Sequence, residues 1–190
     1  MNMLDNIYGV LFKPNTTFSE LSNRKYFASS FLIIFLLALL TSVKDAIAYN
    51  SGGLSVLLLM IITFTFYMFV WVISGILLTF TSDLFGGSGK ITDTLIGTAY
   101  ASLPLIFVAP LYILSNVFGD HSNEIYSLIK LVIYLWFATL IILSIKYSHK
   151  IHVTQAILSF ISIFVLFIVS AIGISTISVL GTIFIATNLL

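Results

Sequence analysis

LFGGSGKITDTLIGTAYASLP, running from Leu84 to Pro104, sets a glycine-rich polar turn directly ahead of an apolar helix that carries Gly97, Tyr100, Ala101 and Pro104. An apolar run, Leu54 to Phe80, precedes the turn, and a second, Thr94 to Phe118, follows it. A bilayer core of about 30 Å calls for roughly 20 apolar residues per helix, so the stretch reads as a short loop between two membrane spans. The rest of the chain has the same character. Of its 190 residues 59% are hydrophobic and 8% charged, and the mean hydropathy is +1.15, whereas a soluble domain carries about 25% charged residues. That balance excludes a soluble globular domain and implies an integral membrane protein.

The expected fold class is all-α, a polytopic membrane helix bundle of about five transmembrane helices with a short amphipathic N-terminal leader. Residues 1–25 form the leader and 26–190 the bundle, with spans at about 26–43, 54–80, 94–118, 125–145 and 153–177. Charges or turns bound them: Lys44-Asp45 with Ser51-Gly52-Gly53, Asp83 with the glycine turn, Gly119-Asp120-His121, and Lys146 to His152. The 38 residues from Val153 to Leu190 contain no charged side chain and would make a helix of about 57 Å. The last dozen residues therefore overhang or turn back along the surface, the alternative being a sixth span made of two short helices. In the leader, Leu4, Ile7, Tyr8 and Leu11 recur at helical spacing and form a stripe suited to the membrane surface. Lys13-Pro14-Asn15 breaks that helix, and Thr17 with Glu20 has the spacing of a capping box, so a second helix starts there and buries Phe18 and Leu21. Arg24-Lys25 ahead of an apolar run also suits a signal peptide. The 18-residue run and the charges at Lys44-Asp45 favour a retained first span.

Basic residues set the expected orientation. With the N-terminus inside, Lys13, Arg24, Lys25, Lys90, Lys146 and Lys150 are cytoplasmic, against Lys44 and Lys130 outside. The leader, the glycine turn and the loop at His149 then face the cytoplasm and the C-terminus lies outside. Tyr26, Tyr49, Tyr126 and Tyr147 fall near predicted helix ends as interfacial anchors.

Motifs for chemistry are few. Gly89-Lys90 could end a phosphate-binding loop, but Leu84 stands where that motif needs glycine and Ile91 where it needs Ser or Thr. The turn instead reads as a tight cytoplasmic loop, with glycines supplying positive φ and Lys90 marking topology. His149 and His152 are spaced i, i+3, which is two ligands short of a zinc site, so the expectation is an exposed basic loop and no metal. No ionisable residue lies deep in a span, since Lys130 is close enough to a helix end to snorkel, which weakens ion-coupled transport. Hydrolase motifs are missing, so neither catalytic residues nor a cofactor are expected. The absence of cysteine excludes thiol chemistry, and a net charge of +1 offers no face for nucleic acid. In the third span Gly97 and Ala101 form a small-xxx-small pair, Tyr100 and Ser102 offer hydroxyls, and Pro104 and Pro110 kink the helix. Two readings follow, packing within one bundle or a partner or lipid surface.

Leu11-Phe12-Lys13-Pro14 with Thr17-Phe18 and Leu21, five spans, and Leu84-Phe85-Gly86-Gly87 leading through Thr94 to Tyr100-Ala101-Ser102-Leu103-Pro104 together resemble the Yip1 family in its prokaryotic form. The resemblance covers nearly the whole chain. It implies a membrane protein without known catalytic residues, whose eukaryotic relatives bind small Rab-type GTPases and one another in vesicle traffic. Asn6-Ile7-Tyr8-Gly9 is similar to an Asp-Leu-Tyr-Gly element of those relatives but lacks the aspartate, so a GTPase partner follows only by family analogy. The expected function is a non-enzymatic scaffold or assembly partner in a prokaryotic cell membrane, acting on other membrane proteins or on itself. Gly97, Tyr100, Ala101 and Pro104 would make helix contacts, and Gly86, Gly87, Gly89 and Lys90 the cytoplasmic contact. The rival expectations are a passive channel or transporter for a small neutral solute or lipid, gated by the kinked third helix, and a membrane-shaping protein that uses the leader as a wedge.

Overall fold

The computed structural model describes residues 3–21, 26–50, 52–115 and 122–169, and among these the regular structure is helical throughout. Two short helices come first, α1 (Met3–Phe12) and α2 (Pro14–Glu20). Four segments long and apolar enough to cross a membrane follow: α3 (Phe27–Ala48), α4 (Leu54–Leu84), a broken third span, and α7 (Ser122–His149). The third span consists of α5 (Ile91–Ala101), a 3-10 segment (Leu103–Phe107) and α6 (Val108–Ser115). A shorter apolar helix, α8 (Val153–Val169), follows α7. The expected ends of the third and fifth spans at 118 and 177, and residues 178–190, lie outside the described residues.

Helix α5 is the axis of the bundle. Every residue from Thr94 to Ala101 is buried, and α5 packs against α3, α4 and α7. Helix α4 is the opposite case. Trp71, Gly75, Leu78, Thr81 and Ser82 are its buried residues, while Leu57, Ile61, Phe66 and Phe69 point outward, as expected of a span that faces lipid chains. At 31 residues it is about 46 Å long, enough to overhang a bilayer core or tilt across it.

Pro104 explains the break in the third span. Proline has no N–H for the carbonyl four residues earlier, so the chain tightens into a 3-10 turn in which Leu105 N–H donates to Ser102 O at 2.9 Å. Pro110 falls in the first turn of α6, where a missing N–H costs nothing, and it causes no second break. The expected pair of kinks is therefore one.

The leader differs from expectation in two ways. Helix α1 buries Asn6, Gly9 and Val10 and leaves Leu4, Tyr8 and Phe12 exposed. Val10 joins the bundle's main core cluster, as do Phe18 and Leu21 in line with expectation, and Ile7 and Leu11 pack against it, so the expected stripe is split between the bundle and the exposed face. Helix α2 begins at Pro14 and not after Thr17, because proline is pre-organised for a first helical position. Thr17 Oγ1 donates instead to Lys13 O at 3.0 Å.

Gly97 lets α5 and α7 meet. A Cβ built on it would overlap Ser144 Oγ, and that hydroxyl is buried with no hydrogen-bond partner among the described residues. Gly97→Ala is expected to lower stability in detergent by about 1–3 kcal/mol through overpacking. Ser144→Ala, which removes an unpaired buried hydroxyl, should be neutral or stabilising, and the double variant should recover most of the loss. Thermal unfolding of the four proteins checks this.

Candidate functional site

The glycine turn closes over His149, and the reason lies in how two helices end. Helix α4 stops in a Schellman motif: Gly87 N–H donates to Ser82 O at 2.9 Å, Gly86 N–H to Asp83 O at 3.0 Å, and Gly86 takes a positive φ of 87°. Helix α7 ends the same way. Ile151 N–H donates to Lys146 O at 3.1 Å, with Lys150 at φ 55° in the position glycine usually fills. Gly87 and Gly89 serve close approach instead. A Cβ on Gly87 would come within 3.0 Å of His149 Cβ, and one on Gly89 within 2.7 Å of His149 Nδ1.

His149 is fully buried, at 0% exposure. Gly89 N–H donates to its Nδ1 at 3.2 Å, Ser88 N–H donates to its carbonyl at 3.2 Å, and Thr94 Oγ1 lies 2.8 Å from its Nε2. Because Nδ1 accepts, Nε2 carries the ring proton and donates to Thr94. The Asp83 carboxylate stands 3.6 Å from Nδ1. From α8, Gln155 Nε2 donates to Phe85 O at 2.9 Å, while its Oε1 accepts from His152 N–H at 2.9 Å. That second bond is one half of a capping box on α8. One imidazole and one amide thus tie together the C-termini of α4 and α7 and the N-termini of α5 and α8.

The exposed basic loop expected at His149 is therefore corrected. His152 is exposed, His149 is wholly enclosed, and both ring nitrogens of His149 are engaged. Among the described residues no three His, Cys, Asp or Glu side chains are grouped as metal ligands. Of the turn residues, Gly86 supplies positive φ, Gly87 and Gly89 make room for the imidazole, and Lys90 is the exposed N-cap of α5. Gly97, Tyr100, Ala101 and Pro104 all lie inside the bundle. Tyr100 OH meets Ser29 Oγ of α3 at 2.8 Å, and Gly97 faces Ser144 of α7. The structure brings the two groups together through Thr94, one turn before Gly97. The fastening roles of His149, Thr94 and Gln155 are not evident from sequence reasoning. The local signal was Gln155 three residues after His152, an N3 glutamine without Ser or Thr at the cap.

This architecture defines a polytopic α-helical membrane protein whose helix ends are locked at one face. The family model described as the Yip1 domain matches residues 8–174, and the chain belongs to the Yip1 family. Comparison with curated proteins and with solved structures yields no match.

Loss of the imidazole leaves Gly89 N–H without its partner and removes one of the three bonds at Thr94 Oγ1. His149→Ala is expected to cost about 2–3 kcal/mol. Since the chain has no cysteine, a Ser82→Cys reporter, at a fully buried side chain where α4 meets the turn, can follow the turn, and its maleimide labelling should speed up by about tenfold or more in the His149→Ala background. Lys150→Gly, which relieves a left-handed non-glycine residue, should raise stability by about 1 kcal/mol, read by thermal unfolding.

Proposed function

We propose that the protein is a non-enzymatic membrane scaffold or assembly partner, which presents the glycine-turn end of its bundle to other membrane components at the cytoplasmic face. The observation that carries this reading is the contrast within the turn. Its backbone is fastened from beneath by His149 and Gln155, while Asp83, Leu84, Ser88 and Lys90 remain exposed, Leu84 at 67%. A rigid exposed loop loses little conformational entropy when a partner engages it.

The leader adds to the same end. Helix α2 packs on α7, Tyr147 OH donates to Asn15 Oδ1 at 3.2 Å, and Tyr8 and Phe12 stack outward with ring centroids 4.8 Å apart. The contact surface in this reading is the turn from Gly86 to Lys90 together with Tyr8 and Phe12. Gly97, Tyr100, Ala101 and Pro104 act from inside, as the packing that holds the turn in place. Lys13, Lys90, Lys146 and Lys150 belong to this end, with Lys44 and Lys130 toward the other, which favours an N-terminus and turn in the cytoplasm and a C-terminus outside, while the short leader and the form of the motif favour a prokaryotic cell. A GTPase partner rests on family analogy alone. Asn6 and Gly9 of the Asn6-Ile7-Tyr8-Gly9 element are buried against the chain itself.

In-cell photocrosslinking from position 90 and from position 100 tests the reading. Position 90 is expected to capture the same heterologous membrane protein reproducibly, and the yield should fall about tenfold when Gly89→Val displaces the turn. Position 100, buried within the bundle, should give intramolecular products only. Capture at position 90 that is confined to lipid or to the protein itself, or that ignores Gly89→Val, would sink the scaffold role.

A further inference from the structure

Two adjoining cavities lie toward the end of the bundle away from the glycine turn. The deeper, of about 120 Å³, is bordered by Ile34, Leu37, Val70, Trp71, Phe137 and Ile141. The other, of about 60 Å³, is bordered by Thr41, Lys44, Val108 and Tyr134. Leu37, Tyr67 and Leu105 line both, so the two stack into one slot between α4 and α7, walled by α3 and by the 3-10 break.

Four hydroxyl residues line the inner cavity, of which Tyr67 turns its OH to Thr41 and the other three donate to backbone carbonyls. Ser74 Oγ donates to Trp71 O at 3.0 Å, Thr98 Oγ1 to Leu95 O at 3.1 Å, and Ser102 Oγ to Ala99 O at 2.7 Å. The indole of Trp71 donates to Leu95 O at 3.0 Å. With these donors turned back on the protein, the lining is almost wholly apolar and suits hydrocarbon. The outer cavity is the opposite. Thr41 Oγ1 and Tyr67 OH bond each other at 3.1 Å, and Lys44 Nζ donates to Asp45 Oδ1 at 2.9 Å, which leaves two of its three N–H groups for a ligand. Lys130 Nζ sits 5.8 Å from the centroid of Tyr134, which lines the outer cavity, so a second cation stands near the mouth.

Dimensions match as well. Ile34 to Lys44 along α3 spans about 15 Å, the hydrocarbon depth of one leaflet in a core of about 30 Å. Val70, on the rim, is 44% exposed, so the slot is open sideways to the bilayer. We propose that it binds one anionic glycerophospholipid from the leaflet opposite the glycine turn, with an acyl chain along Leu37, Val70 and Phe137 and the phosphate on Lys44. The site is independent of the scaffold role.

Trp71 supplies the readout, because the chain has two tryptophans and Trp136→Phe leaves Trp71 alone. The full-length protein is reconstituted in phosphatidylcholine vesicles with the same low mole fraction of chain-brominated phosphatidylglycerol or chain-brominated phosphatidylcholine. Quenching of Trp71 should report an association about five- to tenfold stronger for the anionic lipid, the scale of one charge-assisted contact. That preference should vanish in Lys44→Gln and in Val70→Phe, which fills the rim, and persist in Lys146→Gln at the far end. Equal quenching by the two lipids in the unmodified site overturns the proposal without recourse to any lining variant. A preference that survives Lys44→Gln or Val70→Phe overturns it too, since the headgroup or the chain would then lie elsewhere.

Discussion

The close approach of α5 to α7 at Gly97 is the constraint on which the rest of the bundle depends. In hydrocarbon no water competes for apolar surface, so helices associate through packing and polar contacts, and small residues decide how near two backbones can come. With Gly97 against Ser144, α7 runs close enough along α5 for His149 to arrive under the turn ahead of α5, within reach of Thr94. A wider separation at Gly97 would pull the imidazole away from Thr94, and Gly87 and Gly89 would then border empty space. Gly75 continues the same logic on the other side, where a Cβ would overlap the Leu95 side chain and keep Trp71 from the Leu95 carbonyl.

Polar satisfaction follows from that packing. Each helix end leaves carbonyl or N–H groups unpaired, and within or near a bilayer these are costly. The chain meets the cost at the turn end with two Schellman motifs and with side chains that serve two partners each, as Gln155 does for α8 and for Phe85. In the third span the Pro104 break is lined by Ser102, whose hydroxyl returns to Ala99 O. The interruption therefore creates the wall of a slot without opening a polar hole.

How much of this was legible follows from the range of each signal. Apolar run length and the prolines are local, and the four spans found among the described residues and the break at Pro104 follow from them. The α1 stripe was partly informative: Ile7 and Leu11 pack against the core while Leu4 and Tyr8 face outward, and the face that packs also carries Asn6, Val10 and Gly9, the last against Thr17. His149 misled outright. A histidine beside Lys146 and Lys150 looks solvated in sequence, and what buries it is a turn 60 residues away. Glycines at 87 and 89 suggested positive φ, yet their role is to admit a ring. Long-range complementarity leaves no local mark, so the third-span small residues could be recognised as contact residues while the identity of their partner could not.

The two ends of the molecule are built for different physics, and the third span separates them. At the turn end, backbone groups are consumed by internal bonds, and what remains outward is side-chain variety: a leucine, an aspartate and a lysine. At the other end, Lys44 keeps N–H groups beyond the one given to Asp45, and Leu105 of the 3-10 break lines the slot beside it. A bundle locked at one end and open at the other transmits little strain from the open end, since the fastened helix termini fix the register of α4, α5 and α7 beyond the break. A lipid in the slot would then fill space and stiffen the open half without moving the turn, so occupancy at one leaflet and protein contact at the other can vary separately.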